Sequence, residues 1–332
     1  HVLEWARELH GPVLVHVHTV KGKGYSFAER NPSKFHGVSP FDSLTGLLKK
    51  TGGESFSAVF GKTLTELAGE DSRICAVTAA MADGTGLSGF AKEFPRRFFD
   101  VGIAEGHAVA MAAGLSKQGM IPVLAVYSTF LQRGYDMLIH DVALQNLHVV
   151  LGVDRAGLVG PDGETHQGCF DTLFLSEIPG FSVLCPANFA ELRSMLRQAL
   201  FEIKGPVAVR YPRGGEGAFR EDASAEPVVC LRQGSGVTLL AYGPMTDHVL
   251  TAAEILHRER NIEARVLKLN RIAPLDIGLL SPWFHGGEVL AVPEDAFGAG
   301  CVGQRVAAIL AEYGRAPGKL ILKNLGKTFA PE

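Results

Sequence analysis

The sequence predicts an α/β protein built from two doubly wound domains, a parallel-sheet domain followed by a smaller α/β domain. Its 332 residues correspond to about two domains of ordinary size. Short, continuously apolar runs alternate with helical patterns, as in parallel sheets that are covered by helices on both faces. A charged, Gly-rich stretch at residues 214–226 separates two such regions and predicts a linker.

The start of the chain lacks this alternation. Residues 2–9, VLEWAREL, resemble the inside of a helix, and we expect that the native chain begins further upstream. A strand is predicted at residues 13–19. Residues 21–42, rich in Gly, Lys and Pro, show no periodicity and predict irregular structure.

Apolar periodicity then assigns each element in turn. In the first alternating region it predicts helices at 56–67, 86–93, 105–117, 130–145 and 189–201, and strands at 74–78, 98–103, 121–127, 147–153, 182–185 and 207–210. In the second region it predicts helices at 245–258 and 299–313, and strands at 237–241, 264–269, 288–292 and 320–323. Ligands of such sheets bind at the carboxyl ends of the strands.

Composition excludes several classes of function. Lys and Arg total 32 against 35 Asp and Glu, and without a basic cluster this balance argues against a nucleic-acid partner. The longest apolar runs fall short of the roughly 20 residues that span a bilayer, so we expect no membrane partner. Five widely spaced cysteines without a CxxC pair favour a reducing cytosol over a disulfide framework or a zinc site.

Two segments near predicted strand ends carry candidate functional residues. Glu105 directly follows a strand and begins an Ala- and Gly-rich helix, which suits an enclosed acid; the alternative is a carboxylate that only favours the helix dipole. Tyr127, Phe130 and Arg133 lie where a strand turns into a helix. An aromatic face with a cation suits a flat heterocycle and an anion, whereas the alternative is a core Phe and a surface Arg.

A third candidate is the glycine loop, residues 154–168, which contains four glycines and follows a buried strand. Connections of this length without regular structure usually carry function. His166 is a candidate acid or base, with a structural histidine as the alternative. After the last strand of this region, Arg210 and Arg213 could clamp a phosphate or carboxylate, although such arginines are commonly just solvated.

Taken together, AEGHAVAMAAGL, YSTFLQRGYDMLIHDVA, DRAGLVGPDGETHQGCFD and VRYPRG resemble, in this order and spacing, the middle domain of the 1-deoxy-D-xylulose-5-phosphate synthases. These are thiamine-diphosphate enzymes of the transketolase group. The leading KGKGYSFAERNPSKFHGVSPFD resembles the end of that family's first domain. The resemblance implies the end of a diphosphate-binding domain and a linker at 1–50, a pyrimidine-binding domain at 51–215 and a transketolase C-terminal-like domain at 227–332.

The resemblance also implies a role for each matching residue. Glu105 would hydrogen-bond the aminopyrimidine ring of the cofactor, with further cofactor contacts from Tyr25, Phe130 and Arg133. His36, His166 and Asp162 would act near the reacting carbons. Tyr127, Arg155 and Arg213 would hold the phosphate of glyceraldehyde 3-phosphate. The implied reaction decarboxylates pyruvate and joins the two-carbon unit to that aldehyde, as the first step of non-mevalonate isoprenoid synthesis.

The sequence departs from the family pattern in three places. It contains no GDG motif with a distant Asn, so we expect the ligands of Mg²⁺ to lie outside this chain, which would then be inactive alone. The C-terminal NLGKTFAPE stops short of the family's usual tail, and Gly106 stands where the family usually has Gln. We therefore interpret the chain as about the last half of a longer enzyme.

Alternative interpretations are a transketolase half, the beta subunit of a two-subunit pyruvate dehydrogenase, or a catalytically silent fragment or binding subunit. The segments KGKGY, KFHG and DRAGLVGPDGETHQG favour the synthase. The family further implies a homodimer located in the cytoplasm, or in the plastid stroma for a plant source.

Overall fold

The computed structural model describes residues 1–32, 35, 40–47 and 53–330. The chain forms two compact units, His1–Gly53 and Glu54–Glu332. In the first unit, helices α1 (Val2–Glu8) and α2 (Ser26–Arg30) are formed. The strand predicted at 13–19 is wrong: these residues have no regular structure, no described strand pairs with them, and Leu14 and Val17 are exposed.

The second unit contains two sheets that confirm the predicted fold class. Strands of the first sheet are β1 (Ile74–Thr78), β2 (Phe98–Asp100), β3 (Ile121–Tyr127), β4 (Val150–Asp154), β5 (Ser182–Leu184), β6 (Val207–Arg210) and β10 (Arg271–Ala273). Their order is β10-β5-β6-β4-β3-β1-β2, and all pairs are parallel except β10 with β5. Every residue of β1, β4 and β6 is buried, as apolar strands between two helix layers require.

Helices cover both faces of this sheet. They are α3 (Phe56–Glu70), α4 (Ser88–Glu93), α5 (Glu105–Lys117), α6 (Ser128–Leu131), α7 (Tyr135–Met137), α8 (Asp171–Phe174) and α9 (Phe189–Phe201). Side-chain caps define two of their starts: Ser55 accepts from the N–H of Ala58 at 3.3 Å, and Asn188 accepts from that of Glu191 at 2.9 Å.

The second sheet contains β7 (Val228–Arg232), β8 (Val237–Tyr242), β9 (Arg265–Leu269), β11 (Val289–Pro293) and β12 (Lys319–Lys323). Its order is β12-β11-β8-β9-β7, and only β7 runs antiparallel to its neighbour. Helices α10 (Met245–Arg260), α11 (Ile277–Leu280) and α12 (Val302–Glu312) accompany it. It has the predicted strands plus β7, which the sequence analysis missed.

The two sheets share one apolar core and one buried ion pair, and a second buried pair within the first layer contacts the second sheet. Lys268 of β9 lies 2.9 Å from Glu191 of α9, and both side chains are fully buried. Arg210 of β6 forms a two-armed bond to Asp171 of α8 at 2.9 and 3.2 Å, beneath the ring of Tyr242. Because removing one partner of a buried pair costs about 3–5 kcal/mol, the Lys268–Glu191 pair helps to hold the two sheets in one arrangement.

The segment after β3 also differs from the prediction of one helix at 130–145. The chain instead passes through α6, a 3₁₀ turn, α7 and a π-helix at Leu138–Ala143. Gly134 lies against α5 so closely that an added Cβ would come within 2.8 Å of Val109. This packing against α5 and the varied helical pitch determine the directions of the side chains in the segment. π-Turns such as this one are frequent at functional sites.

Among the helices that the structure describes, none is long and apolar enough to cross a membrane.

Candidate active site

Most of the predicted site residues meet at one edge of the first sheet. Tyr127 ends β3, Arg155 follows β4, and Arg213 follows β6. Because these strands are parallel neighbours, their carboxyl ends lie side by side. Glu105 begins α5 shortly after β2. The sheet therefore places an acid, an aromatic side chain and two cations along one edge.

Glu105 is a buried acid with a single arginine partner. Only 4% of its surface is exposed, and its Oε1 accepts a hydrogen bond from Nη1 of Arg133 at 2.7 Å. As the first residue of a 13-residue helix, it also lies at the positive end of the helix dipole. The Arg133 side chain is 58% exposed, so the pair is open to a ligand from the arginine side.

An aromatic row connects this acid to the glycine loop. The Arg133 guanidinium lies 5.1 Å from the centre of the Phe130 ring. Phe130 stacks on Tyr127 with ring centres 5.8 Å apart, and it meets the edge of His166 at 5.2 Å. The predicted group of Tyr127, Phe130 and Arg133 is thus one continuous set of contacts, which His166 of the glycine loop joins, and it offers a flat face to a ring.

Two arginines share a carboxylate at the other end of the row. Asp162 Oδ2 lies 3.0 Å from Nε of Arg213 and 3.5 Å from Nε of Arg155. Arg155 also covers the Tyr127 ring at 3.8 Å. Burial and the nearby carboxylates of Asp154 and Asp162 raise the pKa of Tyr127, so its hydroxyl stays protonated near neutral pH. The cluster can recognise an anion through guanidinium N–H groups and a hydroxyl donor.

The glycine loop is held by its own backbone. The N–H groups of Gly157 and Gly168 each donate to the other's carbonyl at 2.8 Å. A Cβ on Gly168 would lie 2.1 Å from the Arg155 carbonyl, so only glycine fits there. Arg155 itself has φ +56°, an uncommon conformation for a non-glycine residue that clusters at functional sites. The loop thereby brings Arg155, Asp162 and His166 to the same edge.

Residues that follow β11 of the second sheet pack against this loop. The Asp295 carboxylate lies against Gly157, and the N–H of Phe297 donates to the Cys169 carbonyl at 3.3 Å. The rings of Phe297 and Phe170 stack with centres 4.4 Å apart. The part of the chain after residue 227 therefore helps to fix the loop that carries three of the predicted site residues.

Asp154 is a site residue that the sequence analysis missed. It is fully buried at the end of β4, and its Oδ1 accepts from Arg155 Nη1 at 2.9 Å. Burial raises the pKa of its carboxyl to about 6, although Arg155 and Ser57 oppose this rise. A charged residue that ends an otherwise apolar strand was the available sequence signal.

The raised pKa of Asp154 predicts how the stability of the protein depends on pH. An exposed Asp has a pKa of about 3.9, so between about pH 4 and 6 the folded protein holds a proton that the unfolded chain has lost. Stability from this group is therefore present at low pH and is lost as pH rises through about 6. Relative to Asp154→Asn, the wild-type free energy of unfolding should fall by about 2 kcal/mol from pH 4 to pH 7.

Denaturant unfolding of both proteins at several pH values measures this difference. Other titrating groups cancel because they are common to both. A difference that stays constant across this range would contradict the assigned titration of Asp154.

Other predicted residues lie elsewhere. Arg210 is buried with Asp171, so its prediction as a phosphate clamp is wrong. In the first unit, the Tyr25 hydroxyl donates to the Ser43 carbonyl at 3.1 Å, and its ring contacts three phenylalanines. His36 lies outside the described residues. The roles of Tyr25 and His36 stay predictions.

Gly106, the departure from the family pattern, packs under the segment that carries Arg133. An added Cβ would lie 2.9 Å from Met137 Cε and 3.5 Å from the Arg133 carbonyl. A larger residue here requires the flexible Met137 side chain to move. Gly106 thus lets α5 approach this segment closely.

No cluster of three or more His, Cys, Asp and Glu side chains in residues 1–32, 35, 40–47 and 53–330 could hold a metal ion. The absence of metal ligands from the whole chain stays a prediction.

Comparison with known proteins agrees with this geometry. Residues 54–215 match the pyrimidine binding domain of transketolase, and residues 227–328 match the transketolase C-terminal domain. A solved split-gene transketolase, described as an inactive beta4 tetramer, is 31% identical and superposes with a TM-score of 0.72, over 84% of this chain and 91% of that one. The chain therefore belongs to the transketolase family.

Within that family, the curated relatives that the chain resembles are 1-deoxy-D-xylulose-5-phosphate synthases, which confirms the resemblance stated above. The synthase of Desulforudis audaxviator is 48% identical over 99% of this chain and 52% of its own length. That of Heliobacterium modesticaldum is 51% identical over 90% of this chain and 47% of its own length. The chain thus spans about half the length of these curated relatives.

Proposed function

We propose that this chain forms part of an enzyme that condenses pyruvate with glyceraldehyde 3-phosphate to give 1-deoxy-D-xylulose 5-phosphate and CO2. The observation that carries the proposal is the continuous row from the buried Glu105, through Arg133 and the Phe130 ring, to the Arg155 and Arg213 cluster. One end of this row suits a cofactor ring and the other suits a phosphate. The synthase relatives support the assignment of both substrates.

The residues at the Glu105 end fit thiamine diphosphate. Glu105 is a buried carboxylate, which can accept a hydrogen bond from an aminopyrimidine ring nitrogen, and the exposed part of Phe130 gives that ring a stacking surface. When bound, thiamine diphosphate supplies a nucleophilic carbon for the two-carbon unit of pyruvate. Glu105 holds and moves the proton at the ring nitrogen, Arg133 orients Glu105, and Phe130 fixes the ring plane.

The residues at the other end bind and orient the aldehyde. Arg155 and Arg213 carry the charge that an acceptor phosphate needs, and Tyr127 adds a hydroxyl donor. His166, at the edge of the Phe130 ring, lies between the two ends and can transfer a proton to or from the acceptor. Asp162 orients both arginines.

The proposal extends to features of the complete enzyme. Mg²⁺ would be held by a diphosphate-binding domain, of which residues 1–50 form the end. The proposal includes a catalytic role for His36 and a cofactor contact for Tyr25. The enzyme would work as a homodimer in the cytoplasm.

This assignment leads to a binding prediction for the chain alone. We expect it to bind thiamine diphosphate weakly or not at all, because the family's GDG motif for the diphosphate and metal is absent from the sequence. Calorimetric titration with cofactor and Mg²⁺ tests this. Micromolar or tighter binding would show that the cofactor contacts have been misplaced.

Activity is tested by supplying the chain with pyruvate, glyceraldehyde 3-phosphate, cofactor and Mg²⁺, with and without the diphosphate-binding domain. We expect product only in the mixture that contains the domain. Product from the chain alone would contradict the proposed division of the site, and no product in either mixture would favour a catalytically silent subunit.

A further inference from the structure

The Arg155 guanidinium is enclosed by four groups. Its Nη1 donates to Asp154 Oδ1 at 2.9 Å and to the Gly84 carbonyl at 2.8 Å. Its carbon lies 3.8 Å from the centre of the Tyr127 ring, and Asp162 lies 3.5 Å from Nε. Both hydrogen bonds are thus made by one nitrogen, at the inner side of the group.

Asp154 is the unusual member of this enclosure. Within the described residues, its Oδ2 has no hydrogen-bond partner although it is buried. A buried carboxylate is costly unless it is paired, and Arg155 is the cation that pairs with it. The other groups that face Asp154 are Ser57 of α3 and the buried Tyr211 that follows β6. Neither brings a positive charge, so Asp154 depends on Arg155.

The outer side of Arg155 remains suited to a ligand. Its Nε is buried and forms no hydrogen bond with a described residue, and Asp162 Oδ2 lies 3.5 Å away. An arginine that is already fixed loses less conformational entropy when it binds an anion. The positive φ of Arg155 is a conformation that persists only where the surrounding structure fixes the residue.

We propose that Asp154 is a positioning residue that fixes the inner side of Arg155, so that its outer N–H groups face the phosphate of the acceptor. This inference rests on the proposed function. Asp154 does not touch the substrate and acts only through Arg155. The Gly84 carbonyl and the Tyr127 ring complete the enclosure.

The test compares two substitutions of Asp154 in the complete enzyme with two acceptors. Asp154→Ala removes the oxygen that holds Arg155, and Asp154→Asn keeps one. We expect Asp154→Ala to raise KM for glyceraldehyde 3-phosphate by about 10- to 150-fold, the range of a lost bond to a charged group. KM for unphosphorylated glyceraldehyde should change less than about twofold, and Asp154→Asn should recover most of the loss.

Asp171→Asn is the matched control, because Asp171 is equally buried and pairs with Arg210 away from the site. It should lower stability without distinguishing the two acceptors. Equal losses with both acceptors in Asp154→Ala would indicate a purely structural role and overturn the inference. An unchanged KM for glyceraldehyde 3-phosphate in a folded Asp154→Ala protein would overturn it as well.

Binding of inorganic phosphate, followed by ³¹P NMR, separates this inference from the proposed function. Asp154→Ala should weaken phosphate binding by a similar factor, and Asp154→Asn should restore it. If the wild-type enzyme binds phosphate in this Asp154-dependent way but forms no product, the proposed reaction fails while the inference stands. If product forms and phosphate binding ignores Asp154, the inference alone fails. If Asp154→Ala does not fold, Asp154→Asn alone is compared with the wild type. Weaker phosphate binding by Asp154→Asn would contradict the inference, whereas unchanged phosphate binding with Arg155 in place would support it.

Discussion

Replacing Glu105 with glutamine should lower the turnover of the complete enzyme by about 10²- to 10⁴-fold, the usual contribution of an acid–base group. Glutamine keeps the size of the side chain and can still accept the bond from Arg133, but it has no carboxylate to exchange a proton. Steady-state kinetics with saturating substrates and cofactor measure the effect. Circular dichroism should change little, because the shape of the site is kept.

Glu294→Gln is the matched control for this experiment. Glu294 is also 4% exposed and follows β11. Its carboxylate reaches the start of α12, where it accepts from the N–H groups of Val302 and Gly303 at 2.9 Å. If Glu105 only favours a helix dipole, both substitutions should leave turnover nearly normal and change stability alone. Near-normal turnover of Glu105→Gln would therefore contradict its catalytic role.

The second large effect is expected at the phosphate end of the site. Arg213→Ala should raise KM for glyceraldehyde 3-phosphate by about 10- to 150-fold, since a hydrogen bond to a charged group contributes about 1.5–3 kcal/mol. The pyruvate half-reaction should stay nearly intact, because no phosphate takes part in it. Steady-state kinetics with each substrate varied in turn separates the two effects.

Arg193→Ala provides a control arginine of similar exposure, 44% against 38% for Arg213, with a loose ion pair to Glu54. Substituting an ordinary surface arginine should change the binding free energy of either substrate by about 0.5 kcal/mol or less. An unchanged acceptor KM in Arg213→Ala, or an equal loss with pyruvate, would rule out the phosphate assignment.

Much of the fold could be predicted because buried positions are apolar and recur at regular spacing in the sequence. Strands β1, β3 and β4 are apolar apart from their last residues, and α3 and α9 repeat their apolar residues at helical spacing. The short β10 shows no such pattern, because its three residues become a strand only by pairing with β5 at the edge of the first sheet. The segment after β3 is irregular because Gly134 packs closely against α5. This is a tertiary contact, which local periodicity does not predict.

The site was predicted less evenly, for reasons that are also physical. Residues such as Tyr127, Phe130 and Arg133 lie near one another in sequence, so a local motif could group them. Their position after a strand could not separate Arg210 from Arg213. The family resemblance assigned the phosphate to Arg213, and the fold shows that Arg210 instead faces Asp171 in the core. Asp154 was missed because its importance depends on its complete burial and on its ion pair with Arg155.

The measurement that tests the central claim most directly is identification of the product that the complete enzyme forms from ¹³C-labelled pyruvate and glyceraldehyde 3-phosphate. The proposed function predicts labelled 1-deoxy-D-xylulose 5-phosphate together with one CO2 per product, detected by NMR and mass spectrometry. A parallel reaction with a ketose phosphate in place of pyruvate should give no transfer. Transfer from the ketose phosphate, with pyruvate left unused, would instead identify a transketolase and contradict the account.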